Sequence, residues 1–185
     1  LEQADTAKKD SFGVYMEMEA AEGDQMSVMG TGREDVVHAA DQGSHTFSRF
    51  RSSFLYGNNN NDRFEFGVED SGNTVAAFQG DDYVVAASGQ TAGLGKGNDV
   101  YEIAGAGFHM ITLGKGKDVV VLNAVEGVDF AIQDFDFTED RLLLSDELDR
   151  SLLSVSLERT DDSNRWSSYL CCLLYTSPSP RDLST

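Results

Sequence analysis

From about residue 62 onward the chain alternates apolar and polar positions in short runs, and each run is interrupted by glycine, asparagine or aspartate. Taking the residue two places after each turn residue, usually a glycine, gives slots at Asp62, Thr74, Asp82, Thr91, Asp99, His109, Asp118 and Asp129. Two and four places beyond the slots stand Phe64 and Phe66, Ala76 and Phe78, Val84 and Ala86, Tyr101 and Ile103, Ile111 and Leu113, and Val120 and Leu122. One and three places beyond them the residues include Arg63, Glu65, Glu102 and Thr112. A period of two with one apolar side predicts short strands, each buried on one face. Val119 and Val121 break the pattern, being apolar on the polar side.

The slots fall into two interleaved series. One reads Asp62, Asp82, Asp99, Asp118, and the other reads Thr74, Thr91, His109, Asp129. Within each series the step is about 18 residues, the signature of a repeat architecture in which each unit stacks on the next. No helix produces this spacing. A flattened coil with two strands and two turns per circuit does, so the sequence predicts an all-β fold, a parallel β-roll or two-sided β-solenoid. One edge of the roll then stacks carboxylates while the other is mostly neutral. In the N-terminal third, Gly13, Gly23, Gly32 and Gly43 recur at about ten residues, with strand-like "GVYMEME" and "DQMSVMG" between them. Residues 1–61 are accordingly read as a degenerate part of the same solenoid.

"LGKGNDVYE" (residues 94–102) and "LGKGKDVVV" (residues 113–121) resemble the nonapeptide G-G-x-G-x-D-x-U-x of RTX (haemolysin-type) proteins, with leucine in place of the first glycine. "IQDFDFTEDRLLLS" (residues 132–145) is similar to the segment that closes many such rolls. The resemblance implies a calcium-binding roll over 62–133, a cap at 134–145 and a truncated C-terminal region at 146–170. It also implies that Gly95, Gly97, Gly114 and Gly116 turn around the ion and lend carbonyl oxygens beside the aspartates. The expected metal residues are therefore Asp82, Asp99, Asp118, these four glycines, Asp62 and Asp129. Proteins of this kind leave bacteria through type I secretion machinery, guided by an uncleaved C-terminal signal. The expectation that follows is a secreted or cell-surface module that folds on calcium outside the cell.

The residues supply their own reason for a cation. Neighbouring coils of a parallel stack lie about 4.8 Å apart. Two carboxylates at about that distance repel by on the order of 3 kcal/mol at an effective dielectric of ~20. A domain stable by only about 5–15 kcal/mol tolerates few such contacts. Hard oxygen donors in flexible turns favour Ca²⁺ over Mg²⁺, whereas zinc or copper would call for cysteine or clustered histidine.

Composition adds limits. Over 185 residues the formal net charge is −18, which argues against nucleic acid or an anionic membrane as partner. Solubility alone also accounts for such a charge. No apolar run approaches a membrane span. His38, His45 and His109 are scattered, and no H-E-x-x-H, G-x-S-x-G or phosphate-loop motif occurs, so no catalytic function is expected of the chain itself. "CLLYTSPSPRDLST" (residues 172–185) resembles the translated read-through of a transposase sequencing adapter. Residues 171–185 are therefore set aside from fold reasoning, and the Cys171–Cys172 pair is read as neither a disulfide nor a metal site. Residues 142–166 read as a short helix followed by a strand. Two alternatives stay open: a metal-independent β-solenoid adhesin or spacer, and the non-catalytic part of a secreted protease or lipase.

Overall fold

The computed structural model describes residues 13–19, 21–22, 24–162 and 165–174, with side chains as far as Ser154, Leu152 excepted. Residues 1–12 of the predicted degenerate solenoid and residues 175–185 of the tail lie outside this description. Fourteen short strands alternate between two sheets. In chain order they are β1 (Tyr15–Glu17), β2 (Gln25–Met29), β3 (Val36–His38), β4 (Ser44–Ser48), β5 (Phe54–Tyr56), β6 (Arg63–Phe66) and β7 (Thr74–Ala76), followed by β8 (Tyr83–Ala86), β9 (Thr91–Lys96), β10 (Val100–Ile103), β11 (Gly107–Lys115), β12 (Val119–Leu122), β13 (Val128–Ile132) and β14 (Arg141–Leu144). Odd strands pair with odd and even with even, all parallel, so the chain winds as a two-sided solenoid of about seven turns.

Alternation along each strand builds the core. On the even sheet, the in-register file Phe47, Phe64, Val84, Tyr101, Val120, Leu142 points inward. The rings of Phe47 and Phe64 stack with centroids 4.7 Å apart. On the odd sheet the corresponding file is Leu55, Val75, Ala92, Ile111, Ile132. Fully burying each large aliphatic or aromatic side chain contributes about 1.5–3 kcal/mol. Neither sheet can bury its apolar face alone, so stability depends on the coils remaining stacked.

Three sequence expectations change here. Phe78, counted among the inward residues, lies in a turn with φ +79° and is half exposed. The short helix foreseen after Leu142 is instead β14, a 3-10 turn at Arg150–Leu152 and β15 (Leu153–Asp162). Strand β16 (Arg165–Leu174) pairs antiparallel with β15 and β13, closing the odd sheet. It includes Cys171 and Cys172, which had been set aside: paired to Ala131 and Phe130, they continue the sheet whatever the origin of the tail.

Because Phe64 is fully buried between two coils, Phe64→Ala removes both its transfer energy and its ring stack on Phe47. The expected loss is about 3–5 kcal/mol, measured as a lowered urea midpoint.

Candidate metal centre

Immediately before each even-sheet strand from β6 onward stands a buried aspartate: Asp62, Asp82, Asp99, Asp118 and Asp140. They form one continuous ladder. The backbone N–H of Asp62 donates to Asp82 Oδ1 at 2.7 Å, that of Asp82 to Asp99 Oδ1 at 2.8 Å, that of Asp99 to Asp118 Oδ1 at 2.8 Å, and that of Asp118 to Asp140 Oδ1 at 3.0 Å. At the N-terminal end the His45 N–H donates to Asp62 Oδ1 at 2.7 Å. The sequence separations of 17, 20, 17, 19 and 22 residues are each one circuit. The structure thus brings Asp62, Asp82, Asp99 and Asp118 together on one edge.

The second oxygen separates the members of this column. Asp62 Oδ2 accepts the Asn58 N–H and Asp140 Oδ2 accepts the Asp136 N–H, both at 2.8 Å and both from four residues upstream. In the three coils between, the residue at that upstream position is Phe78, Gly95 or Gly114, with φ of 79°, 109° and 100°. These left-handed turns present no N–H to the aspartate; that of Gly114 goes to Asp134 Oδ2 at 2.8 Å. The Oδ2 atoms of Asp82, Asp99 and Asp118 are left buried without a hydrogen-bond partner. An unpaired buried acceptor costs about 1–3 kcal/mol, and more if it is charged.

Electrostatics follows from the same geometry. Burial pushes Asp82 up to about 8, with the neighbouring Asp99, Asp62 and Asp81 charges adding to it. Asp99 is pushed up to about 6, by burial and then Asp81. Asp118 is pushed up to about 7, by burial and then Asp99, Asp140 and Asp134. Asp62 is also raised by burial, against the opposing effect of the N–H bonds from His45 and Asn58.

The glycines shape this edge. Gly97 has φ +140°, and a Cβ there would meet Gly80 O at 1.8 Å; Gly116 has φ +144°, and its Cβ would meet Gly97 O at 1.6 Å. Each glycine therefore admits the carbonyl of the coil before it. Among the described residues no three His, Cys, Asp or Glu side chains converge on one point. A cation on this edge would have to combine single carboxylates from successive coils with turn carbonyls, a donor set that suits Ca²⁺. The orphaned carboxylate oxygens fit that ion.

The opposite edge carries a neutral ladder instead. The Asp35 N–H donates to Ser53 Oγ, the Ser53 N–H to Asn73 Oδ1 and the Asn73 N–H to Gln90 Oε1, each at 2.9 Å. Asp35 itself is satisfied, by Val14 N–H and by the Thr31 N–H and hydroxyl. His109, fully buried, follows in register: its Nε2–H donates to Gly105 O (3.2 Å) and Tyr101 OH donates to Nδ1 (3.0 Å). Burial lowers its pKa, which keeps it a neutral core residue.

Two expectations need correction on this side. The slots fall on Asn73 and Gln90, one residue before Thr74 and Thr91, because the amide side chains sit just ahead of their strands. Asp129 is in register with Phe108, partly exposed on the outer face of β13, and joins no carboxylate column. Sequence reasoning also missed two members of the acidic edge. Asp140 ends a turn without glycine, and His45 takes the aspartate position ahead of Asp62. A slot defined as the residue preceding each strand finds Asp140 but not His45, which is the second residue of β4.

The raised carboxylates set the sign of the pH dependence in the absence of metal. Their folded pKa values exceed the unfolded one, so the folded state holds protons that the unfolded chain has released. Stability is then greatest near pH 4 and declines as pH rises towards about 8. In chelator, the thermal midpoint is expected to fall between pH 5 and pH 8, and Asp99→Asn to flatten that fall.

Comparison of the chain with family models, with curated proteins and with solved structures finds no match in any of the three.

Proposed function

We propose that this chain is a calcium-binding β-roll whose ions occupy only the middle of the acidic edge. The single observation that carries this reading is the run of three successive buried Oδ2 atoms without partners, on Asp82, Asp99 and Asp118. Between them lie two inter-coil gaps, 82/99 and 99/118. Asp62 and Asp140 flank the run with both oxygens satisfied by backbone N–H groups, so neither needs an ion. Gly95, Gly97, Gly114 and Gly116 would lend turn carbonyls. The ion's chemistry is positive charge and a high coordination number.

On this reading the edge is a folding switch. Ionised and empty, the column opposes stacking; loaded, it favours it. Calcium that binds only the folded chain contributes about 1.4 kcal/mol per site at ten times Kd, and extracellular modules often have Kd near 10⁻⁴–10⁻³ M. Release into a calcium-rich exterior, as expected of a secreted RTX-like protein using type I machinery, would then drive folding.

A second reading, a metal-independent spacer, is favoured by the neutral acceptors Ser53, Asn73 and Gln90, which tie coils together without any ion. Asparagine separates the two, since it keeps the Oδ1 acceptor and removes the charge. For the calcium roll, millimolar Ca²⁺ at pH 8 raises the circular-dichroism melting midpoint of the wild type by several degrees, native mass spectrometry counts two ions, Asp62→Asn keeps both, and Asp99→Asn loses both. A spacer gives no calcium response and is stabilised by Asp99→Asn.

A further inference from the structure

We propose that the outer face of the odd sheet carries a groove for a carboxylated saccharide, placed beside the acidic edge. Its first sign is Phe78. The equivalent position in the next two coils is Gly95 and then Gly114, both at positive φ, yet here a phenylalanine is held at φ +79° with half its surface exposed. A bulky residue in the left-handed region is an outlier, and backbone strain of this kind concentrates at functional sites. Burial in the core does not explain it, because the ring projects outward.

Beside Phe78 lies a shallow groove. Its floor is Ala76, Gly93 and Thr112, in register on β7, β9 and β11, and Phe78, Lys96 and Lys115 border it on one side, Lys96 in register with Gln79 and Lys115. The two lysines stand in register on adjacent coils. Neither makes an ion pair among the described residues. Together with Lys117 they are all the lysines of the described residues, concentrated in two successive turns of a chain with net charge −18. On its other side Phe78 borders a hollow that contains Tyr56, whose ring stacks on His38 at 4.3 Å. His38 and Tyr56 thus continue the file of the groove floor along the solenoid axis, with Phe78 two residues to its side and the paired cations in the next two coils.

The occupant follows from what the face offers. Strands β7, β9 and β11 are each paired on both sides, so no free edge is available for an added peptide strand. The floor is built of the small side chains of Ala76 and Thr112 and of Gly93. A sugar ring presents a flat C–H face to Phe78 and to the small-residue floor, and a carboxylate on that ring reaches the lysine ammonium groups. Charge complementarity selects an acidic sugar over a neutral one. Lys96 and Lys115 sit in the turns of the proposed calcium edge, so calcium is expected to strengthen binding; only that effect rests on the calcium reading.

The test uses the full chain, with trigalacturonate as probe and its methyl ester and triglutamate as controls, in equilibrium dialysis with millimolar calcium and with chelator. Trigalacturonate is expected to bind at least tenfold more tightly than either control. Phe78→Gly suits the backbone conformation, so it is expected to melt no lower than wild type while weakening binding at least fivefold. The double variant K96Q/K115Q should weaken it about tenfold. Absence of wild-type binding, equal binding of triglutamate or of the ester, or undiminished binding by Phe78→Gly would each overturn the groove. Saccharide binding to a chain whose melting ignores calcium supports the groove and sinks the ion reading; a calcium response without saccharide binding does the reverse.

Discussion

The whole structure depends on coils remaining in register, and on the acidic edge that register is fixed by one repeated contact, a backbone N–H on the aspartate Oδ1 of the following coil. The contact is favourable for the N–H, which would otherwise be buried without a partner. Its consequence is to draw carboxylates into a single buried file. Each carboxylate must then be neutralised by a second N–H, a proton or a cation. All along one file the protein shows where the first solution is used and where it is withheld: Asn58 and Asp136 supply the N–H at the ends, and nothing supplies it for Asp82, Asp99 and Asp118.

That difference comes from the backbone. Four residues before each aspartate, an ordinary conformation turns the N–H inward, whereas a left-handed one turns it away. Glycine permits the second at little cost, so the glycine turn is what leaves the oxygen free. The same glycines have no Cβ to keep the preceding carbonyl at a distance, as at Gly97 and Gly116. An acceptor-rich, donor-poor edge is therefore produced by the glycines as much as by the aspartates. Phe78 adopts the left-handed turn without being glycine, which links the backbone logic of the edge to a side chain presented on the outer sheet.

Much of this was legible in the sequence because the solenoid is periodic. The alternating apolar positions gave strands and faces, and the glycine turns marked Asp82, Asp99 and Asp118 as a stack. What stayed hidden was whatever breaks the link between turn residue and slot. Asp140 follows Thr138 rather than glycine, and Asn73 and Gln90 sit one residue nearer the turn than the aligned threonines. The state of the second carboxylate oxygen was not legible either, because it depends on the φ of a residue four places away. Asp62 and Asp82 both occupy aspartate slots, yet only Asp82 is left with an unpaired oxygen.

The two edges together explain how an acidic file can be tolerated at all. Ser53, Asn73 and Gln90 tie the coils through neutral acceptors, and this contribution is independent of pH and of any ion. If both edges were acidic, loss of neutralising charge would oppose stacking from both sides at once. With one edge neutral, the balance between stacked and unstacked coils rests on three carboxylates, whose unfavourable ionisation can be offset by a few bound cations rather than many. On the proposed calcium reading, a one-sided column is the arrangement in which a small number of ions would suffice to decide whether the apolar files of the two sheets meet.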